Sequence, residues 1–272
     1  MRNLLRTDMF RFLKSKQFLI LSIICGIYSL AYPALIYLIQ EFASMATGKA
    51  QQLMYAKQFS FSSFGLGIPL LLTIIMFTTV LANEFSYGTV RNKIIVGYSR
   101  TKIYLSLAIT TLTFMFGIVF ISSILSFGLA GILFYYDNLG GMFIYDIGYY
   151  LIGLVIALLI MAVYVSIVML FTVGLNKTAL SIIVPIILIF FSVIISTICD
   201  TFLLELSYQG LDTNFVDILT FIKCINIYYQ SVKISELSLE YYEIIAFIIF
   251  PLLGAGLFTF LGLLAFNKKD IK

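Results

Sequence analysis

Long apolar runs alternate with short polar intervals along this chain. Six stretches, 18–39, 63–83, 104–134, 147–173, 179–199 and 244–266, are apolar throughout, with no Asp, Glu, Lys or Arg in their interiors. A helix rises 1.5 Å per residue, so about 20 residues cover the roughly 30 Å of hydrocarbon in a bilayer. Each run therefore predicts a transmembrane helix. The third exceeds that length and predicts a strong tilt or an extension beyond the bilayer. The runs are continuous rather than alternating at period two, which argues against a barrel. Four prolines fall within these runs. Pro33 and Pro185 are predicted to bend their helices, whereas Pro69 and Pro251 lie near span ends, where a missing N–H is tolerated. The fold class is all-α: a polytopic membrane protein with six transmembrane helices.

Composition agrees. Of 272 residues, 61% are hydrophobic and 11% charged, and the mean hydropathy is +1.07. A soluble domain is nearer half apolar and about a quarter charged, so a water-soluble globule lacks the polar surface it needs.

Charge placement predicts the orientation. An even number of spans puts both termini on one side. If that side is cytoplasmic, the inner segments hold 13 of the 17 basic residues, and the outer ones hold only Lys49, Lys57, Lys223 and Lys233. Acidic residues show the reverse, with only Asp8, Glu84 and Asp270 inside. Both termini are expected in the cytoplasm, and the net charge of +4 follows sidedness rather than nucleic-acid binding.

The polar intervals have characters of their own. Residues 1–17 predict a cytoplasmic amphipathic helix. Leu5, Met9, Phe12 and Leu13 share one face and Arg6, Arg11 and Lys14 the other, so the helix should lie among anionic lipid headgroups. A full-length apolar run follows without a small-residue cleavage site, so no signal peptide is expected. Residues 40–62 form an outer segment. The extracellular segment 200–243 contains Phe215–Leu219 and Ile222–Tyr229, too short to span and suited to interfacial or partly re-entrant helices.

Candidate chemistry is sparse. The chain has no histidine, which removes His-based acid–base catalysis and Ser-His-Asp sites and leaves no basis for a metal site. Cys25, Cys199 and Cys224 make no CxxC and no disulfide framework; Cys199 with Cys224 is the pairing the topology permits. The spans carry no ionisable group for a proton- or ion-driven transporter and no charged ring for a channel. No phosphate-binding Gly-rich loop is present, so energy for transport has to come from another polypeptide.

The most informative interval, 84–103, joins spans two and three. Glu84 sits at the membrane edge, Gly88 permits a turn, and Thr89 is placed to cap a short helix carrying Val90, Ile94 and Ile95. Gly97 then breaks the helix before a basic return to the membrane. On the residues alone, this is either a partner-binding surface helix or a plain positive-inside loop.

At this interval the chain resembles the permease subunits of ABC transporters of the ABC-2 type. In that family a Glu ends the second span, Gly-Thr follows, and a short coupling helix precedes the third span. Glu84, Gly88, Thr89 and the stretch to Lys102 match this arrangement, and the basic N-terminal helix, six spans and long fifth interval extend the likeness to the whole chain. The resemblance implies an ABC-2 (type V exporter-like) fold in a bacterial inner membrane. It implies an ATP-binding subunit as partner, with ATP and Mg on that subunit and no cofactor on this chain, and either a second copy or a different permease beside it. The ATPase-coupling residues it implies are Glu84, Gly88, Thr89, Val90, Arg91, Lys93, Ile94 and Ile95. Val90, Ile94 and Ile95 would fill a groove on the ATPase, Arg91 and Lys93 would pair with its acidic groups, and Glu84 would cap or tether the helix. The spans offer Phe, Tyr, Ser, Thr and aliphatic residues and no fixed charge. That suits export of an amphipathic or hydrophobic substrate such as an antimicrobial or cytolytic peptide, with substrate-binding residues unassigned. The alternative is a membrane immunity protein that captures a peptide without transporting it.

Overall fold

The computed structural model describes residues 2–47, 68–133, 147–175, 178–209, 213–236 and 239–268. These form ten helices and, among the described residues, no strand: α1 (Arg2–Leu13), α2 (Lys16–Thr47), α3 (Ile68–Ser86), α4 (Thr89–Ile95), α5 (Arg100–Leu133), α6 (Ile147–Gly174), α7 (Thr178–Gln209), α8 (Thr213–Ile225), α9 (Ile227–Glu236) and α10 (Tyr241–Lys268). The opening of the second predicted span (63–67), residues 48–62, Phe134, Lys177, Lys269, Asp270 and Lys272 lie outside the described residues.

Among the described residues, five helices are long and apolar enough to cross a membrane, through Lys16–Phe42, Arg100–Ala130, Leu151–Gly174, Ala179–Glu205 and Tyr241–Lys268. A sixth is counted if α3 and the bent α4 make one span. These helices turn broad apolar faces outward: Ile23, Ile27 and Leu35 on α2, Phe190, Phe191 and Ile194 on α7, Leu253, Leu257 and Phe260 on α10. In water such faces would be strongly unfavourable; in lipid they are not. The surface is compatible with a multi-pass membrane protein.

The bundle is organised around α6, which touches α3, α5, α7, α9 and α10. Of its most apolar stretch 61% is buried, against 11% in α10. Ile156, Ile160, Met161, Val165 and Met169 fill the core from α6. Its most extensive packing is with α10, where Val163 stands beside Gly254. The hydroxyl pair Ser166–Thr259, 3.0 Å apart, bridges the same two helices.

The predicted outer segment is mostly helical. After α7, α8 and α9 are separated only by Asn226. Its Oδ1 accepts from the Tyr228 N–H at 2.9 Å, capping α9, and its Nδ2 donates to the Ser192 carbonyl on α7 at 2.7 Å. At the start of α10, Glu243 Oε2 accepts from the Glu240 N–H at 2.9 Å, one half of a capping box. Its Oε1 accepts from Tyr229 at 3.1 Å. Burial and the Glu243 carboxylate push the Tyr229 hydroxyl well above its ordinary pKa. Cys199 and Cys224 are both buried free thiols, so the permitted disulfide is not formed.

Candidate functional site

The short helix α4 lies at the end of the bundle where α1 packs. It departs from α3 at 52°. Gly88 makes that corner with φ 68° and ψ 13°, a left-handed conformation that suits glycine. At the other end Gly97, φ 96°, closes the helix. Its N–H donates to Ile94 O at 2.9 Å, and the Tyr98 N–H donates to Lys93 O at 3.2 Å, the paired bonds of a Schellman stop.

A buried polar network then fixes α4 to three other helices. Glu84, at the end of α3, accepts both guanidinium arms of Arg11 from α1, Nη1 to Oε2 at 3.0 Å and Nη2 to Oε1. The Thr89 hydroxyl lies 2.7 Å from Glu84 Oε2 and 2.6 Å from the Glu84 carbonyl, sharing its proton between them. Lys93 Nζ donates to Asp8 Oδ1 at 2.6 Å and stands 3.7 Å from Glu84 Oε2. Ser106 of α5 donates to the second Asp8 oxygen at 2.8 Å. Asp8, Glu84, Lys93 and Ser106 are all buried. Two carboxylates thus meet two cations, and the cluster is electrically balanced, as burial requires.

Apolar packing surrounds the network. Phe12 of α1 stacks between Phe77 and Phe114, centroids 5.6 and 5.7 Å away. Arg100 donates to the last carbonyls of α10, Phe266 O at 3.1 Å and Asn267 O at 2.8 Å, satisfying a helix C-terminus. The start of α5 and the end of α10 therefore meet. Clefts of about 180 and 280 Å³ flank Arg11, the first against Phe12, Asn83 and Tyr87, the second between Leu4, Thr89 and Tyr98.

Several expectations need correction. Val90 was expected to face a partner; it is 1% exposed and belongs to the chain's own core. Lys93 was expected to pair with an acidic group on a partner; it is buried and pairs with Asp8. Ile94 is partly buried against the core. Thr89 does not cap α4; it is the first helical residue, Gly88 occupies the cap position, and the Thr89 hydroxyl goes to Glu84. Glu84 meets the start of α4 through the Thr89 hydroxyl. Arg91 faces outward, and so does Ile95, at 71% exposed. Val96 and Tyr87, not among the expected residues, complete this outward face. On α1 the buried face is Leu4, Asp8 and Phe12, while Leu13 is exposed; the helix packs on α5 with a carboxylate inside. The sequence held one signal for this: Asp8 is the sole acid in residues 2–16 and lies four residues from both Leu4 and Phe12, on one helix face.

No protein-family model matches the chain, and no curated protein is significantly similar to it.

Proposed function

We propose that the chain is the transmembrane permease subunit of an ATP-driven exporter with the ABC-2 fold, and that α4 is its coupling helix. The observation that carries this reading is a short, separately capped helix, braced by a neutral ion-pair network, that turns Tyr87, Arg91, Ile95 and Val96 outward. A coupling element has to transmit force without deforming. The bidentate Arg11–Glu84 pair ties α1 to α3, the Lys93–Asp8 pair ties α4 to α1, and Ser106 of α5 bonds the same Asp8, which together supply that stiffness. A mixed apolar and cationic face suits a groove with acidic edges.

On this reading the α1–α4 end is cytoplasmic in a bacterial inner membrane, and a separate subunit binds ATP and Mg. A second copy or a different permease completes the pathway, lipid covers the outward apolar faces, and the cargo is amphipathic or hydrophobic, as an antimicrobial peptide is. The chain itself is not an enzyme.

Co-purification with a candidate ATP-binding subunit from the same cells tests the proposal. Ile95→Asp/Val96→Asp places two charges on exposed positions, so folding should persist while ATPase capture and substrate-stimulated ATP hydrolysis are lost. If the wild type, folded in detergent, captures no ATPase, the permease reading fails and peptide capture by an immunity protein takes its place.

A further inference from the structure

Pro33 lies inside α2, with helix on both sides of it. A proline has no N–H, so the carbonyl four residues back, that of Ser29, loses its helical donor, and the ring crowds the same oxygen. That oxygen is taken up from another helix. The Ser126 hydroxyl of α5 donates to Ser29 O at 2.9 Å. The Ser29 hydroxyl is spent within α2, donating to Gly26 O at 2.8 Å, so it is the carbonyl that joins the two helices. Ser29 and Ser126 are both buried, which leaves no solvent to supply the donor instead. An unpaired buried carbonyl is unfavourable, and a hydroxyl from a neighbouring helix is one of the few groups that satisfy it within a bilayer.

The packing of α2 changes at the same residue. Leu21, Cys25, Ser29 and Pro33, spaced by four along one helix face, are buried. From Ala34 to Phe42 no residue is buried, and Leu35, Leu38, Ile39 and Phe42 are exposed. The half of α2 before Pro33 is thus held by the core, whereas the segment beyond it lacks a backbone bond at its root and buried side chains along its length.

We infer that Pro33 is a hinge in α2 and that Ser126 is its latch. The hydroxyl stands in for the missing N–H and fixes the direction in which residues 34–42 leave the bundle. When that bond opens, the segment swings about Pro33 while the preceding half stays packed. The device rests on α2 and α5 alone and is independent of the permease reading.

Amide hydrogen exchange of the full chain in detergent micelles, read by mass spectrometry, tests it. Ser126→Ala is expected to quicken exchange at residues 34–42 several-fold and to leave residues 18–28 unchanged. Ser122→Ala removes another buried hydroxyl one turn earlier on α5 and is expected to change neither segment. Wild-type exchange at residues 34–42 in Ser126→Ala would overturn the inference, as would an equal quickening in Ser122→Ala. In a second arm Pro33→Ala restores an N–H for Ser29 O, so adding Ser126→Ala to it should leave exchange at residues 34–42 as it is in Pro33→Ala alone. A several-fold quickening there would show that Ser126 acts other than through the proline's free carbonyl, and the latch would be wrong.

Discussion

The Lys93–Asp8 pair gives the sharpest test of the network, because its two ends are unequally insured. Lys93 Nζ has Asp8 at 2.6 Å and Glu84 at 3.7 Å, so replacing Asp8 leaves the cation a second carboxylate. Asp8 has Lys93 and the Ser106 hydroxyl, and its side chain is 1% exposed. Lys93→Met therefore strands a buried carboxylate with one neutral donor. Breaking a buried pair from one side costs about 3–5 kcal/mol, and Lys93→Met is expected within that range. Asp8→Asn keeps a carbonyl oxygen for Lys93 and should cost about 1–3 kcal/mol. Asp8→Leu/Lys93→Met replaces the pair with apolar groups and should recover most of the Lys93→Met loss. The assay is unfolding in mixed micelles titrated with a denaturing detergent, followed by far-UV circular dichroism, with the wild type alongside. The reasoning is refuted if Asp8→Asn destabilises as much as Lys93→Met, or if the double variant is no better than Lys93→Met alone.

Three other outcomes are expected. Gly262→Ala places a Cβ 2.1 Å from the Tyr104 hydroxyl and 2.8 Å from its Cζ; this overpacking should lower stability by about 1–3 kcal/mol in the same titration, and adding Tyr104→Leu should restore most of it. Asn226→Ala removes the α9 cap and the bond to Ser192 O, so a loss of about 1–2 kcal/mol and faster hydrogen exchange at Ile227–Gln230 are expected. Burial and the nearby Glu243 charge raise the Cys224 thiol pKa, against a smaller opposing effect of Lys223. The neutral thiol is thus favoured, and alkylation near pH 8 should be slower than for a free cysteine. It should quicken as pH rises and become normal on unfolding.

Much of the architecture was legible in the sequence because membrane solvation acts on whole segments. About 20 consecutive apolar residues predict a spanning helix whatever their neighbours do, since an unpaired backbone in hydrocarbon is too unfavourable. That reasoning located the helices that became α2, α5, α6, α7 and α10, together with the described part of the second span. The turn at Gly88 and the stop at Gly97 were equally readable, because a left-handed backbone singles out glycine locally.

Only the tertiary structure decided which side of each amphipathic helix faces inward. On α1 the hydropathy pattern favoured Leu5, Met9 and Leu13 with Phe12, yet the buried stripe is Leu4, Asp8 and Phe12. On α4 it presented Val90 to a partner and treated Lys93 as surface charge, and both turned inward. The reason is pairing. Segmental hydropathy treats every charge as solvent-seeking, whereas Asp8, Glu84, Arg11 and Lys93 neutralise one another once α1, α3, α4 and α5 meet. Asp8 and Lys93 stand 85 positions apart and Arg11 and Glu84 73, so no local pattern encodes their contact. The sequence determines the spans and turns by what each segment tolerates alone; the fold decides the polar network, because a buried charge is stable only beside its partner.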